Sequence, residues 1–158
     1  MKKILMTIAF AICMTLTCLA QTKYEWKAFN MEFELPDGME VTKSDETKFV
    51  AQNSDNTFAL SLVPFEYEKL KGKKLGASLA NLAYEDLKID ASTSETDDFE
   101  CENGVGFYIK GPATDNTYTI IAAALSEMKQ VAVIITVVCD NPDDEPTGME
   151  FIKNISFN

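Results

Sequence analysis

The chain has no histidine and no arginine; each of its fourteen basic residues is a lysine. Without imidazole there is no Ser-His or Cys-His nucleophile pair and no histidine metal ligand. Without guanidinium there is no bidentate clamp for a carboxylate or phosphate. Most familiar hydrolase designs are thereby excluded, leaving carboxylate-pair or Ser-Lys chemistry as the remaining catalytic options. Positive charge is scarce as well: 25 acidic residues outweigh the lysines and leave a formal net charge of −11. Such a surface repels nucleic acid and anionic lipid and favours solubility, so nucleic-acid binding is set aside.

Acidic residues are absent from the first twenty positions, where Lys2 and Lys3 precede an apolar run from Ile4 to Ala20. A charged start, a run too short for a convincing membrane span and small residues Cys18 and Ala20 at its end predict a secretory signal cut after Ala20. The alternative is lipid attachment at Cys18, which would tether the protein to a membrane face. On this reading residues 1–20 are a signal peptide and residues 21–158 a single exported domain, periplasmic or extracellular, or a membrane-anchored lipoprotein if Cys18 is lipidated. That domain keeps twelve lysines against 25 acids, a net of −13. At its length a chain buries roughly two-thirds of its unfolded surface and needs no covalent staple.

Only four cysteines occur, and two of them, Cys13 and Cys18, lie in the signal. A simple up-and-down meander through residues 95 to 139 puts Cys101 and Cys139 at opposite ends of the sheet, whereas a disulfide needs alpha carbons within about 7 Å. Two buried free thiols are expected, with a bridge as the alternative in an oxidising compartment.

Periodicity supplies the elements. Tyr24, Trp26 and Ala28 alternate with polar residues, then Phe29, Met31, Phe33 and Leu35 alternate in the opposite phase, so a bulge or tight bend falls at 28–29. Pro36, Asp37 and Gly38 stop the strand. Phe49 and Ala51, a turn over Asn53 to Asn56, and Phe58, Leu60 and Leu62 read as a hairpin ending near Pro64. Leu75, Leu79, Leu82, Ala83 and Leu87 fall three and four apart, predicting an amphipathic helix over 75–88. Phe99 and Cys101, a tight turn at Asn103 and Gly104, and Val105, Phe107 and Ile109 form another hairpin. Residues 117–125 and 131–139 carry almost no polar alternation, as in strands buried on both faces. Met149, Ile152 and Ile155 at helical spacing, behind Asp143, Asp144, Glu145 and Pro146, predict a second helix. The expected fold is α+β, a three-layer α/β/α arrangement with a central antiparallel sheet between helices.

Phe33-Glu34-Leu35-Pro36-Asp37-Gly38 near the start and Phe151-Ile152-Lys153-Asn154-Ile155-Ser156-Phe157 at the end, with this element order between them, resemble the PsbP/Mog1-like superfamily across nearly the whole of residues 21–158. The resemblance implies an antiparallel sheet between helices and a non-enzymatic scaffold or accessory role. It transfers no site residue and implies no cofactor, because members share a fold more than a function.

Candidate chemistry has bland competitors. Ser126-Glu127-Met128-Lys129 matches Ser-x-x-Lys and Ser54-Asp55-Asn56 matches a second element of penicillin-recognising enzymes. Both fall in turns, in reversed order and without Lys-Thr-Gly, so they read as chance matches. Asp140, Asn141, Asp143, Asp144 and Glu145, or Glu95, Asp97 and Asp98, offer oxygens to calcium, but neither run follows the EF-hand spacing. A helix cap for the first and a charged strand edge for the second are the preferred readings, so no metal is expected. Lys69, Lys71, Lys73 and Lys74 read as a solvated loop, or else as a contact for an acidic partner. Tyr24, Trp26, Phe65 and Tyr67 read as core, with an exposed aromatic patch as the alternative.

The function expected on these grounds is a non-catalytic exported binding or accessory protein that docks a protein or envelope component. The alternatives are a small-ligand carrier with an apolar cavity, and a carboxylate-dependent glycan hydrolase using two acids from Asp97, Asp98, Asp140 or Asp143.

Overall fold

The computed structural model describes residues 22–65 and 73–158; the expected signal peptide, together with Tyr67, Lys69 and Lys71, lies outside the described residues. Strands β1 (Thr22–Trp26) and β2 (Met31–Leu35) pair antiparallel around a short 3-10 turn, Lys27–Phe29, closed by Asn30 in the left-handed conformation at φ 48. The phase slip in the sequence is this turn. A two-residue strand at the C-terminus, Ser156–Phe157, joins the other side of β2 and completes a three-stranded sheet.

The larger sheet has seven antiparallel strands: β3 (Met39–Ser44), β4 (Phe49–Asn53), β5 (Phe58–Phe65), β6 (Glu95–Cys101), β7 (Gly104–Pro112), β8 (Tyr118–Ser126) and β9 (Val131–Cys139). Their spatial order is β3-β4-β5-β9-β8-β7-β6, and the two-residue C-terminal strand is β10. Strand β3 has no counterpart in the periodicity reading, because five of its six residues are exposed and its apolar alternation ends after Met39 and Val41. Its pairing with β4 alone defines it, with a bulge between Val41 and Lys43.

Helix α1 (Lys73–Asn81) continues as a π-helical turn, Leu82–Asp86, so the predicted helix over 75–88 is present in two geometries. Leu79 and Ala83 from this element cover Ile109, Ile121 and Ala123 on one face of the sheet. The opposite face presents Leu60, Leu62, Ile120, Ala122, Ile135 and Val137, which pack under Phe151 and Ile152 of α2 (Glu145–Lys153) and under Trp26, Met31 and Phe33 of the small sheet. The fold is thus the expected three-layer α+β arrangement around an antiparallel sheet, with strands sharing the third layer. A nine-residue helix is about 14 Å long, whereas seven strands span about 30 Å, so α2 alone cannot cover that face.

The two apolar strands differ. Both faces of β8 are buried; on β9 the face carrying Val133, Ile135, Val137 and Cys139 is buried, while on the other Ala132 is buried and Ile134, Thr136 and Val138 are half-buried. Helix α1 lies over β7 and β8, and one helix is wide enough for about two strands. Tyr24 and Trp26 belong to an aromatic core with Phe29, Phe33 and Phe49, as their alternation suggests, while Phe65 is exposed. Cys101 and Cys139 are free thiols at opposite ends of the sheet. Burial pushes both up to about 11, so they stay protonated and unreactive at neutral pH.

Three loops share one device that the periodicity reading passes over. In Asp45-x-Thr47, Asp90-x-Ser92 and Asp115-x-Thr117 a carboxylate oxygen accepts from the backbone N–H and the hydroxyl two residues on. Hydroxyl bonds first, then backbone bonds, hold all three carboxylates below the usual range. A carboxylate with a depressed folded pKa contributes stability above its unfolded pKa and loses it as pH falls through the folded one. The thermal midpoint is expected to fall between about pH 5 and pH 2, and Asp→Asn changes at all three positions should flatten that fall; an unchanged acid slope in the triple variant would refute the assignment.

Candidate functional site

Two clefts flank strand β7, one on each face of the sheet. On the α1 face, a groove of about 580 Å³ opens between Leu75 on α1 and the β6–β7 hairpin. Its floor is Val105, Phe107 and Leu125, which share one face because Val105 pairs with Leu125 and Phe107 with Ala123. Its outer wall is Asp98 and Glu100, both exposed, set opposite Phe107 and Val105 by the hairpin register. Val105 is 53% exposed. The sequence reading places Val105 facing inward with Phe107 and Ile109; the residue has the inward parity but lies at the end of β7, and among the described residues Leu75 is the α1 residue lining the groove.

The hairpin itself turns one residue earlier than read. Glu102 and Asn103, the latter left-handed at φ 59, form the loop, and Gly104 already pairs with Cys101. Glycine fits this strand position because the Phe157 ring and the Leu125 carbonyl oxygen lie against it, leaving no room for a Cβ.

On the α2 face, Lys110 of β7 is only 14% exposed and its Nζ donates to Glu145 Oε1 at 2.8 Å while pairing with Glu95 Oε2 at 3.1 Å. Burial alone would push this ammonium down; the hydrogen bonds to Glu145 and Glu95 outweigh it and hold its pKa above the usual lysine range. Lys110 is therefore a fixed cation tying β6, β7 and α2 together, and it is no base or nucleophile. Beside it a cleft of about 460 Å³ with a mixed polar and apolar lining runs along α2 past Tyr108, Glu150 and Lys153.

The remaining chemical candidates do not converge. Asp97 and Asp98 are neighbours on β6 and so project to opposite faces of the sheet. Asp140 and Asp143 are exposed ahead of α2, where Asn141 caps a 3-10 turn, Pro142–Asp144, its side chain accepting from the Asp143 N–H at 3.1 Å; Asp144 stands at the α2 N-cap without a side-chain bond, so the acidic cap the sequence suggests is not made. Among the described residues no three His, Cys, Asp or Glu side chains are grouped to hold a metal. Ser126 is buried in the β8–β9 hairpin and its Oγ accepts from the Lys129 backbone. Ser54, Asp55 and Asn56 turn at the far end of the sheet, since Thr57 there bonds Asp140 just past β9. The nine residues of β9 separate the two motifs by about 27 Å.

No protein-family model and no curated protein matches this chain. Solved structures do. The Ran-binding protein Mog1p of Saccharomyces cerevisiae superposes with a TM-score of 0.55 at 10% identity, covering 87% of this chain and 95% of that one. Cyanobacterial PsbP from Synechocystis superposes with a TM-score of 0.57 at 12% identity, covering 94% and 99%. A protein from Bacteroides thetaiotaomicron matches at 0.54 and 11% identity, with 87% of this chain spanning 48% of that one. Identities this low speak for architecture alone. Among the described residues no helix is long and apolar enough to cross a membrane. The chain has the PsbP/Mog1-like fold.

Proposed function

We propose that this protein is a non-catalytic, exported binding or accessory protein that docks a protein or envelope partner. The observation that carries the reading is the groove beneath Leu75, an apolar floor left open at the end of a sheet whose other apolar surfaces are largely packed. Apolar surface rimmed by polar groups is a feature of interaction sites and binding grooves. The scattered placement of Asp97, Asp98, Asp140 and Asp143 speaks against glycan hydrolysis, which needs two carboxyls facing each other across roughly 5–10 Å of cleft. The small-ligand carrier loses support because Leu79, Ala83, Ile121 and Ala123 fill the space between helix and sheet.

The protein, used as bait on extracts of its host's envelope, should retain a partner specifically against a bait of equal charge; recovery of nothing above background would count against docking. Intact-mass measurement of the protein from its host should show a chain beginning at Gln21. A lipid-bearing Cys18 would instead assign it to the membrane face.

A further inference from the structure

The groove beneath Leu75 joins two properties that rarely occur together on an acidic protein. Its floor, Val105, Phe107 and Leu125, carries no charge, and its outer wall is the strand β6, which pairs with β7 alone and stands at the edge of the sheet. On the groove side that wall presents Thr96, Asp98 and Glu100, all exposed.

We infer that the groove receives a lysine- or arginine-bearing segment of a protein partner, with one apolar side chain of that segment on Val105, Phe107 and Leu125 and its cations against Asp98 and Glu100. The inference rests on the docking role proposed above and names the chemistry of the partner. A purely apolar occupant would strip water from the two carboxylates without replacing it, and burying an unpaired charge is costly. An acidic occupant would meet Asp98, Glu100 and a chain of net charge −11. A cationic segment with an apolar anchor satisfies floor and wall together. Helix α1 begins in sequence with Lys73 and Lys74, so the competing outcome is an acidic segment.

The test uses the protein as recovered from its host and three short fluorescent peptides: lysines around a central leucine, the same peptide with glutamate for each lysine, and the lysine peptide with serine for leucine. Anisotropy should show binding of the first peptide, and weakening by roughly tenfold or more for each of the other two. Asp98→Lys/Glu100→Lys and, separately, Val105→Ser should each impose a loss of about the same size without lowering the thermal midpoint, since all three positions are exposed. Val105→Ser provides the test should the charge reversal fail to fold. Equal binding of the glutamate peptide would show that recognition accepts an acidic segment, and equal binding of the serine peptide would reduce it to nonspecific charge attraction. Indifference of both variants would place the contact elsewhere. Each of these results overturns the inference. A host partner captured equally by wild type and by Asp98→Lys/Glu100→Lys removes this groove and leaves the docking role standing; no capture by the wild type removes the docking role itself.

Discussion

Replacing Phe33 with alanine should lower the free energy of unfolding by about 3–5 kcal/mol, the range for a fully buried aromatic truncated to a methyl group. Phe33 is 1% exposed and stands where the layers meet. Its ring lies 4.9 Å from Phe49 of β4 and 5.7 Å from Phe151 of α2, both edge-on, and 5.5 Å from Tyr24 of β1. The side chain thus joins the small sheet, the large sheet and the C-terminal helix, and its loss opens a cavity that no single element can relax to fill. Against a typical total of about 5–15 kcal/mol this is about a fifth or more of the stability. Urea unfolding followed by tryptophan fluorescence is well suited to the measurement, because Trp26 shares the same aromatic cluster through Phe49. The midpoint should fall with the slope unchanged. Phe33→Leu, which keeps most of the volume, should cost less than half as much; equal losses for the two substitutions would show that cavity formation is not the cause.

A second large effect is expected at Gly106, and its sign is opposite to what strand propensity suggests. Alanine ordinarily exceeds glycine within a strand by about 0.5–1 kcal/mol, since glycine loses more backbone freedom on folding. At Gly106 the backbone is not left-handed, so conformational freedom is not the reason for glycine. The reason is space: a Cβ there would overlap the ring of Phe99, its cross-strand partner on β6, and come within 2.6 Å of the Ala123 carbonyl oxygen on β8. With β7 paired on both sides the backbone has little room to yield. Gly106→Ala should therefore destabilise by about 1–3 kcal/mol and Gly106→Val by more. In the double variant Gly106→Ala/Phe99→Ala the loss should be smaller than the sum of the single losses, a coupling of about 1 kcal/mol or more between residues in contact. Strict additivity in this cycle would mean that the Phe99 ring is not what excludes the Cβ.

The hairpins, both helices and the antiparallel class were legible because each rests on a local pattern. Alternation in Phe58-Leu60-Leu62, helical spacing from Leu75 to Ala83 and the proline ahead of Met149 are set by neighbours within a turn or two of chain. Even the phase slip at 28–29 announced a turn. Strand β3 was illegible because Met39 and Val41 are too short an apolar alternation to mark Met39–Ser44; its hydrogen bonds to β4 make it a strand.

What the amino-acid order determined by itself, then, was which segments are extended or helical and which residue types are available, including the want of histidine and arginine that rules out whole classes of catalysis. What only the tertiary structure decided was which faces meet. The small sheet beside α2, the Phe99 ring over Gly106, the Lys110 node between Glu95 and Glu145, and the groove where Asp98 and Glu100 face Val105 and Phe107 all join residues from different elements or different strands. Periodicity tells a strand which side is apolar. It does not tell that side what will lie on it, because the energy of covering a face depends on the size and reach of elements far away in the chain.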